Sequence, residues 1–248
     1  MDKLKEVIII SDNPFLAELF EKEVWKLVYS SSYNLSFRCS PYSNTIDFNL
    51  SKPISKIDLK NSEQLNTILG SYLILSIHCK QLFPEKLVDT VRCVNVHPGY
   101  NPINRGWYPQ VFSIIENLDI GATIHEIDKH LDNGKIIVRE KVQKYEHDTS
   151  LSLYNRVINK EIELLKFNIE SILNNTYQAF LPELKGTLRL KKDFNKLLNI
   201  DLDEKLTMGE AINRLRALTH GNYKNAFYYN QRGDKIYISI NLNHEKES

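Results

Sequence analysis

What this chain of 248 residues lacks narrows its class first. Its three cysteines, at 39, 79 and 93, are odd in number and contain no Cys-x-x-Cys spacing. That excludes a disulfide framework and a cysteine zinc site, and it fits free thiols in a reducing, cytoplasmic compartment. Neither sign of charge dominates: 32 Lys and Arg stand against 31 Asp and Glu, for a net charge of +1. Bulk attraction to nucleic acid or to an anionic membrane is therefore not expected. The longest apolar runs, such as Val7–Ile10 and Tyr72–Ile77, are strand-sized. None approaches the ~20 residues that a membrane span needs. Met1-Asp-Lys-Leu-Lys-Glu6 has no apolar core, so no secretory leader is expected. No Gly-x-Gly-x-x-Gly follows the first apolar run, where Ser11-Asp-Asn-Pro14 stands instead. That weighs against a dinucleotide oxidoreductase.

What is present is an alternation of strand and helix patterns. Glu6–Ile10, Leu35–Cys39, Tyr72–Ile77 and Cys93–His97 read as strands. Apolar residues at 15, 16, 19, 20, 24 and 27 have helical spacing, with Pro14 in the first turn and Asp12 or Asn13 as its cap. Residues 62–69 and 84–91 read as further helices. This alternation predicts an α/β fold: a Rossmann-like, mostly parallel sheet with helices on both faces. Such sheets bind ligands beyond the carboxyl ends of their strands. Three polar segments lie there: Ser11–Asn13, His78–Lys80 and Asn95–His97.

After Tyr145 the pattern changes. Residues 150–173 form a long amphipathic helix pattern, and a looser basic stretch over 174–192 reads as a connection. Thr207 with Glu210 makes a capping box opening a helix to Leu218. Asn225–Tyr229 and Lys235–Ile240, around a turn at 230–234, read as a β-hairpin. The expected organisation is a catalytic domain over 1–185 and a small helix and hairpin region over 186–248.

The most informative residues lie in two short runs. Val91-Arg-Cys-Val-Asn-Val-His-Pro-Gly99 places Asn95 and His97 two apart on an extended segment, so both side chains leave one face. Leu131-Asp-Asn-Gly-Lys-Ile-Ile137 places Asp132 in a turn before a strand. An amide, an imidazole and a carboxylate can stabilise an oxyanion, take a proton and hold the base in its working state.

Between these runs, residues 97–109 read His-x-Gly-x-x-Pro-x-x-Arg-Gly-x-x-Pro. This resembles the strand and loop of the formyltransferases that use N10-formyltetrahydrofolate. They include methionyl-tRNA formyltransferase, glycinamide ribonucleotide formyltransferase and the sugar N-formyltransferases. Asp132-Asn-Gly-Lys-Ile-Ile137 is similar to that family's Asp-x-Gly-x-Ile-Ile element, and the resemblance covers residues 6 to about 145. It implies that Asn95, His97 and Asp132 are the catalytic set, with N10-formyltetrahydrofolate as cosubstrate and no metal.

In that chemistry a neutral amine attacks the formyl carbon. His97 takes the proton, Asn95 donates to the oxyanion, and Asp132 orients His97 or a water. Asn104–Ser113 and Arg216–Ala226 are most similar to the sugar N-formyltransferases acting on dTDP-linked amino-dideoxy sugars, particularly dTDP-4-amino-4,6-dideoxyglucose. Such a product would serve surface polysaccharide such as O-antigen.

Lys80 and Arg105 are then candidate phosphate or substrate contacts, or solvated cations. Trp107 either walls the sugar or folate pocket or packs under its loop. Tyr223 either stacks on thymine, with His220 and Asn225 nearby, or joins the core. Phe227 and Tyr228 fill the hairpin's own core or a dimer contact, and a homodimer is expected. A formyl acceptor on another amine, hydrolysis of the folate, and a non-catalytic nucleotide-binding module are the competing readings. The last conflicts with the presence of Asn95, His97 and Asp132.

Overall fold

A computed structural model describes residues 4–28 and 31–245. Residues 1–3, part of the stretch read for a leader, lie outside them. Strands β1 (Lys5–Ser11), β2 (Tyr33–Cys39) and β3 (Ile54–Lys56) open the fold, with helix α1 (Pro14–Leu19) between the first two. Helix α2 (Ser62–Asn66), β4 (Leu73–Ile77), α3 (Glu85–Thr90) and β5 (Cys93–His97) follow. Next come β6 (Arg105–Gly106), α4 (Pro109–Ile115), β7 (Gly121–Glu126) and β8 (Ile136–Lys141). The remainder is α5 (Ser150–Asn174), β9 (Leu188–Arg189), α6 (Lys191–Leu197), α7 (Met208–Leu218), β10 (Phe227–Tyr229) and β11 (Lys235–Tyr237).

The main sheet has the order β3-β2-β1-β4-β5-β7-β8. Pairings from β3 through β5 are parallel, and β5–β7 and β7–β8 are antiparallel. The central strands are apolar runs because both faces are covered. Their two-residue period sorts them. Val7, Ile9, Leu73, Leu75, Val94 and Val96 face α1 and α5. Ile8, Ile10, Ile74 and Cys93 face the helices carrying Leu65 and Leu87. Each fully buried Ile or Leu contributes about 1.5–3 kcal/mol against staying exposed.

The first helix departs from the expected regular spacing. Asn13 caps it, accepting from the Leu16 N–H at 3.2 Å, and Pro14 opens it. The chain then widens into a π turn over Phe20–Val24 and tightens into a 3₁₀ turn over Trp25–Leu27. That adjustment keeps both Phe20 and Val24 in the core.

Beyond the sheet, the stretch read as a connection carries β9, which pairs in parallel with β6. It also carries an isolated bridge from Phe180 to Ile136. Helix α7 starts with the anticipated Thr207–Glu210 capping box. The hairpin is shorter than its aromatic run, with β11 ending at Tyr237. Phe194, Ala217, Leu218 and Ala226 from this region share a core with Val111, Ile114, Ile120, Leu153 and Val157. Among the described residues, no helix is long and apolar enough to cross a membrane.

Helix α5 begins on a buried carboxylate. Asp148 accepts from the Tyr145 N–H at 2.7 Å, Ser152 Oγ at 2.8 Å and both Arg156 amino groups at 2.9 Å. Burial opposes its ionisation, but these donors outweigh it and hold the carboxyl below its ordinary range. A depressed folded value makes this stabilisation complete above about pH 4; it is lost as pH falls through the folded value. Asp148→Asn is accordingly expected to cost roughly 1–3 kcal/mol near neutral pH. It should also flatten the acid side of the stability curve, as read by thermal unfolding at several pH values.

Candidate active site

The sheet builds the site on one face of β5. Antiparallel pairing sets Asn95 opposite His125 and His97 opposite Thr123. Asp132 reaches the same place from the loop between β7 and β8, in a left-handed conformation with φ 48°. The three residues singled out in the sequence therefore converge. Asn95 Nδ2 donates to Asp132 Oδ1 at 3.2 Å, and His97 Nδ1 lies 3.6 Å from Asp132 Oδ2.

The hydrogen bonds fix which nitrogen of His97 is free. Its Nε2 donates to the Asn104 carbonyl at 2.8 Å, which leaves Nδ1, on the Asp132 side, as the nitrogen that can exchange a proton. Gly99 makes this fit possible. A Cβ there would lie 2.5 Å from His97 Nε2 and 2.7 Å from the Asn104 oxygen.

His125 is a fourth member that sequence reasoning missed. Its Nδ1 donates to the Glu126 carbonyl at 2.7 Å, which leaves Nε2 to accept from Asn95 Nδ2 at 3.2 Å. Its side chain is buried and lies 3.5 Å from Asp132 Oδ1. The available signal was a histidine inside the apolar strand Gly121–His125, whose register against β5 the sequence does not give.

Asp132 is enclosed by these groups and by the Gly106 N–H, which donates to Oδ2 at 2.9 Å. Burial opposes its charge, but His97, His125 and the Gly106 N–H prevail, and the carboxyl stays well below the ordinary carboxylate range. Gly106 sits at φ +92°, and a Cβ there would lie 2.1 Å from the Arg189 carbonyl. Only glycine lets β6 lie against β9 while turning its N–H to Asp132.

A second polar cluster lies at the ends of β1 and β4, the point where strand order reverses. Asp12 does not cap α1; it ties three loops together. It accepts from the Ser40 N–H at 2.8 Å, Ser43 Oγ at 2.6 Å and the Lys80 N–H at 2.6 Å. Burial opposes the charge and these donors outweigh it, so the carboxyl lies below its ordinary range. Beside it, Asn13 Nδ2 donates to the Tyr154 hydroxyl at 3.3 Å. Tyr154 also meets His78 Nδ1 at 3.1 Å, and its ring lies 5.4 Å from that of His220. Burial pushes the neighbouring Cys79 thiol up to about 12, so it stays protonated.

With this geometry in hand, the comparisons decide the family. The formyl transferase model matches residues 33–169, and a second, described as the N-formyltransferase dimerization C-terminal domain, matches 193–244. The chain belongs to the formyltransferase family. It is similar to the dTDP-4-amino-4,6-dideoxyglucose formyltransferase of Mycobacterium tuberculosis, with 47% identity over 186 residues, 75% of this chain and 80% of that one. A sugar N-formyltransferase from Shewanella superposes with TM-score 0.91 at 36% identity, covering 98% of this chain and 100% of the other. A 4-N formyltransferase from Francisella tularensis gives TM-score 0.87 at 37% identity, covering 97% and 99%.

The remaining candidates of this formyltransferase fall into two groups. Arg105 and Trp107 lie on the Asp132 side. Arg105 donates to Asn133 Oδ1 at 2.6 Å, next to Asp132 in the chain. Trp107 lies against Tyr108 at 5.8 Å and under the Lys191 ammonium at 5.8 Å. Lys80, His220, Tyr223 and Asn225 belong to the Tyr154 side. The Lys80 ammonium has no hydrogen-bond or ion-pair partner among the described residues, although its backbone is fixed by Asp12. His220 Nδ1 meets Ser150 Oγ at 3.0 Å, and burial lowers its pKa, keeping the ring neutral near pH 7. Tyr223 is 73% exposed and meets His220 edge-on at 5.7 Å. Asn225 donates to the Leu218 carbonyl at 2.9 Å, a contact internal to its own loop.

Proposed function

We propose that this formyltransferase moves a formyl group from N10-formyltetrahydrofolate to the amine of a dTDP-linked amino-dideoxy sugar. The acceptor best supported is dTDP-4-amino-4,6-dideoxyglucose. The observation that carries this reading is the 47% identity to a relative bearing that name, extending over 75% of this chain. The Francisella protein, described as a 4-N formyltransferase, supports the position of the amine.

Roles for the catalytic residues follow from the hydrogen bonds. The acceptor amine attacks the formyl carbon, and the carbonyl oxygen becomes an oxyanion. As the new C–N bond forms, the amine loses a proton to His97 Nδ1, the ring nitrogen that the Asn104 carbonyl leaves uncommitted. The resulting imidazolium faces Asp132 Oδ2, which pairs with the new charge. In the resting site both Asn95 amide hydrogens are engaged, by His125 Nε2 and Asp132 Oδ1. Asn95 serves the oxyanion by exchanging the Asp132 bond for it, while His125 holds the amide in plane. Collapse breaks the bond between the formyl carbon and N10, and N10 takes the proton that His97 had accepted, which returns the imidazole to its starting form as tetrahydrofolate leaves.

Lys80, whose ammonium has no partner among the described residues, and the exposed Tyr223 are assigned to the diphosphate and the thymine. Arg105 is assigned to positioning the Asp132 loop through Asn133, and Trp107 to the wall of the sugar or folate pocket. We read residues 193–244 as forming a homodimer, supported by their family match and by Tyr229 and Tyr237 lying 54% and 44% exposed. Three unpaired thiols fit a cytoplasmic setting.

The test is direct. Enzyme, N10-formyltetrahydrofolate and dTDP-4-amino-4,6-dideoxyglucose are expected to give a sugar nucleotide heavier by one formyl group, seen by mass spectrometry. Parallel reactions use a dTDP-linked 3-amino sugar, UDP- and GDP-linked 4-amino sugars, and methionyl-tRNA. Failure with every dTDP-linked amino sugar would overturn the acceptor.

A further inference from the structure

Glu161 is the one acidic residue among the described residues that is wholly buried, at 0% exposure, and the mechanism above does not use it. Both of its carboxylate oxygens lie 2.9 Å from His78 Nε2, and it has no other hydrogen-bond partner among the described residues. The other ring nitrogen of His78 meets the Tyr154 hydroxyl at 3.1 Å. Glu161 and Tyr154 are seven residues apart on α5, two turns, so they share one face and His78 bridges them. His78 does this from the end of β4 with φ 55°, a conformation disfavoured for histidine.

The direction of each bond in this chain can be derived. Asn13 Oδ1 is committed to the Leu16 N–H as the cap of α1. Its amide nitrogen must therefore face Tyr154, and the phenol oxygen accepts that bond. A buried carboxylate with a single partner is costly unless that partner carries the opposite charge. A His78 ring carrying a proton on each nitrogen would meet this need, with Nε2 donating to Glu161 and Nδ1 donating to Tyr154. The phenol oxygen then accepts twice, from Asn13 and from His78. Its own hydrogen is turned away from both, as a hydrogen-bond donor.

We propose that Glu161 is a positioning residue for the acceptor substrate: through His78 it fixes the hydroxyl of the half-buried Tyr154 as a donor to an oxyanion of the nucleotide's diphosphate. Glu161 does not touch the substrate. Lys80 supplies charge to the same anion, while the Glu161–His78–Tyr154 chain supplies direction. A neutral His78 would reverse this, because Nδ1 would draw the phenol hydrogen inward and leave no donor. The inference rests on the sugar-nucleotide acceptor proposed above.

The experiment compares wild-type enzyme with Glu161→Gln, Tyr154→Phe and the double variant. It measures formyl transfer to dTDP-4-amino-4,6-dideoxyglucose and calorimetric binding of dTDP alone. Both single variants are expected to raise KM for the sugar nucleotide and Kd for dTDP about tenfold, the effect of one hydrogen bond to a charged group. With Glu161→Gln, kcat should stay within about twofold. The double variant should be no worse than Tyr154→Phe, since Glu161 acts only through that hydroxyl.

A purely structural Glu161 would change the melting temperature and leave KM and Kd unmoved, and that result overturns the inference. Where Glu161→Gln does not fold, Tyr154→Phe leaves the ion pair intact, and unchanged dTDP binding in it is equally decisive. In the ¹⁵N spectrum of histidine-labelled wild-type enzyme with dTDP bound, both His78 nitrogens should carry a proton. Glu161 and Tyr154 face that ring directly, and His220 lies beyond the Tyr154 ring. A neutral His78 also overturns the inference. Wild-type enzyme that neither binds dTDP nor formylates the sugar is a different failure, that of the acceptor itself.

Discussion

His97→Ala is expected to lower kcat by about 10²–10⁴, the contribution of a positioned general base. The ring is 4% exposed and its Nε2 is committed to the Asn104 carbonyl, so Nδ1 is the nitrogen left to take the amine proton. Asp132 cannot substitute. Its oxygens stay committed to the Asn95 amide and the Gly106 N–H, donors that favour the ionised carboxylate and make it a poor acceptor for the amine proton. The loss should appear in kcat and kcat/KM together, with dTDP binding retained, because Lys80 and Tyr154 lie in the other cluster. Turnover within a few-fold of wild type would sink the assignment of His97 as the base.

Gly99→Ala should be nearly as damaging although it adds one methyl group and removes no reactive atom. The new Cβ would lie 2.5 Å from His97 Nε2 and 2.7 Å from the Asn104 carbonyl, against each other's hydrogen bond. Neither can withdraw freely, since His97 is buried between β5 and Asp132 and Asn104 is 4% exposed. The ring must shift, and a displacement near 1 Å at a reacting group costs about a hundredfold in rate. Gly70→Ala is the matched control, as nothing lies within 4 Å of the Cβ it adds. Equal kcat for the two variants would show that the Gly99 contact does not hold His97 in place.

Much of the fold could be read from local pattern because its causes are local. β1, β4 and β5 are apolar runs whose burial on both faces follows from that composition. The antiparallel pairing of β5 with β7 could not be read, since an apolar strand carries no mark of its neighbour's direction. The π turn at Phe20–Val24 was hidden for a related reason. It answers to the packing of Phe20 and Val24, not to helix propensity.

The site divides in the same way. Asn95, His97 and Asp132 were legible because spacing on a strand and a turn set each of them. His125 depended on a register, and the His78, Tyr154 and Glu161 chain on contacts 76 and 83 residues apart. Asp12 was visible as a polar residue after β1, but its partners Ser40, Ser43 and Lys80 come from two other loops.

Helix α5 carries a consequence for how the molecule comes apart. Leu153 and Val157, near its start, are packed with α4, α6 and α7, while Ile162, Leu165 and Ile169 are packed against the sheet. A helix shared by two cores cannot leave one without disturbing the other, so the chain should melt as a single cooperative unit. The same helix also carries Tyr154, at the end of the site proposed for the nucleotide. Occupancy of that end is therefore felt by the sheet and by the carboxyl-terminal helices alike. A ligand that touches only one corner of the molecule would postpone the collapse of all of it.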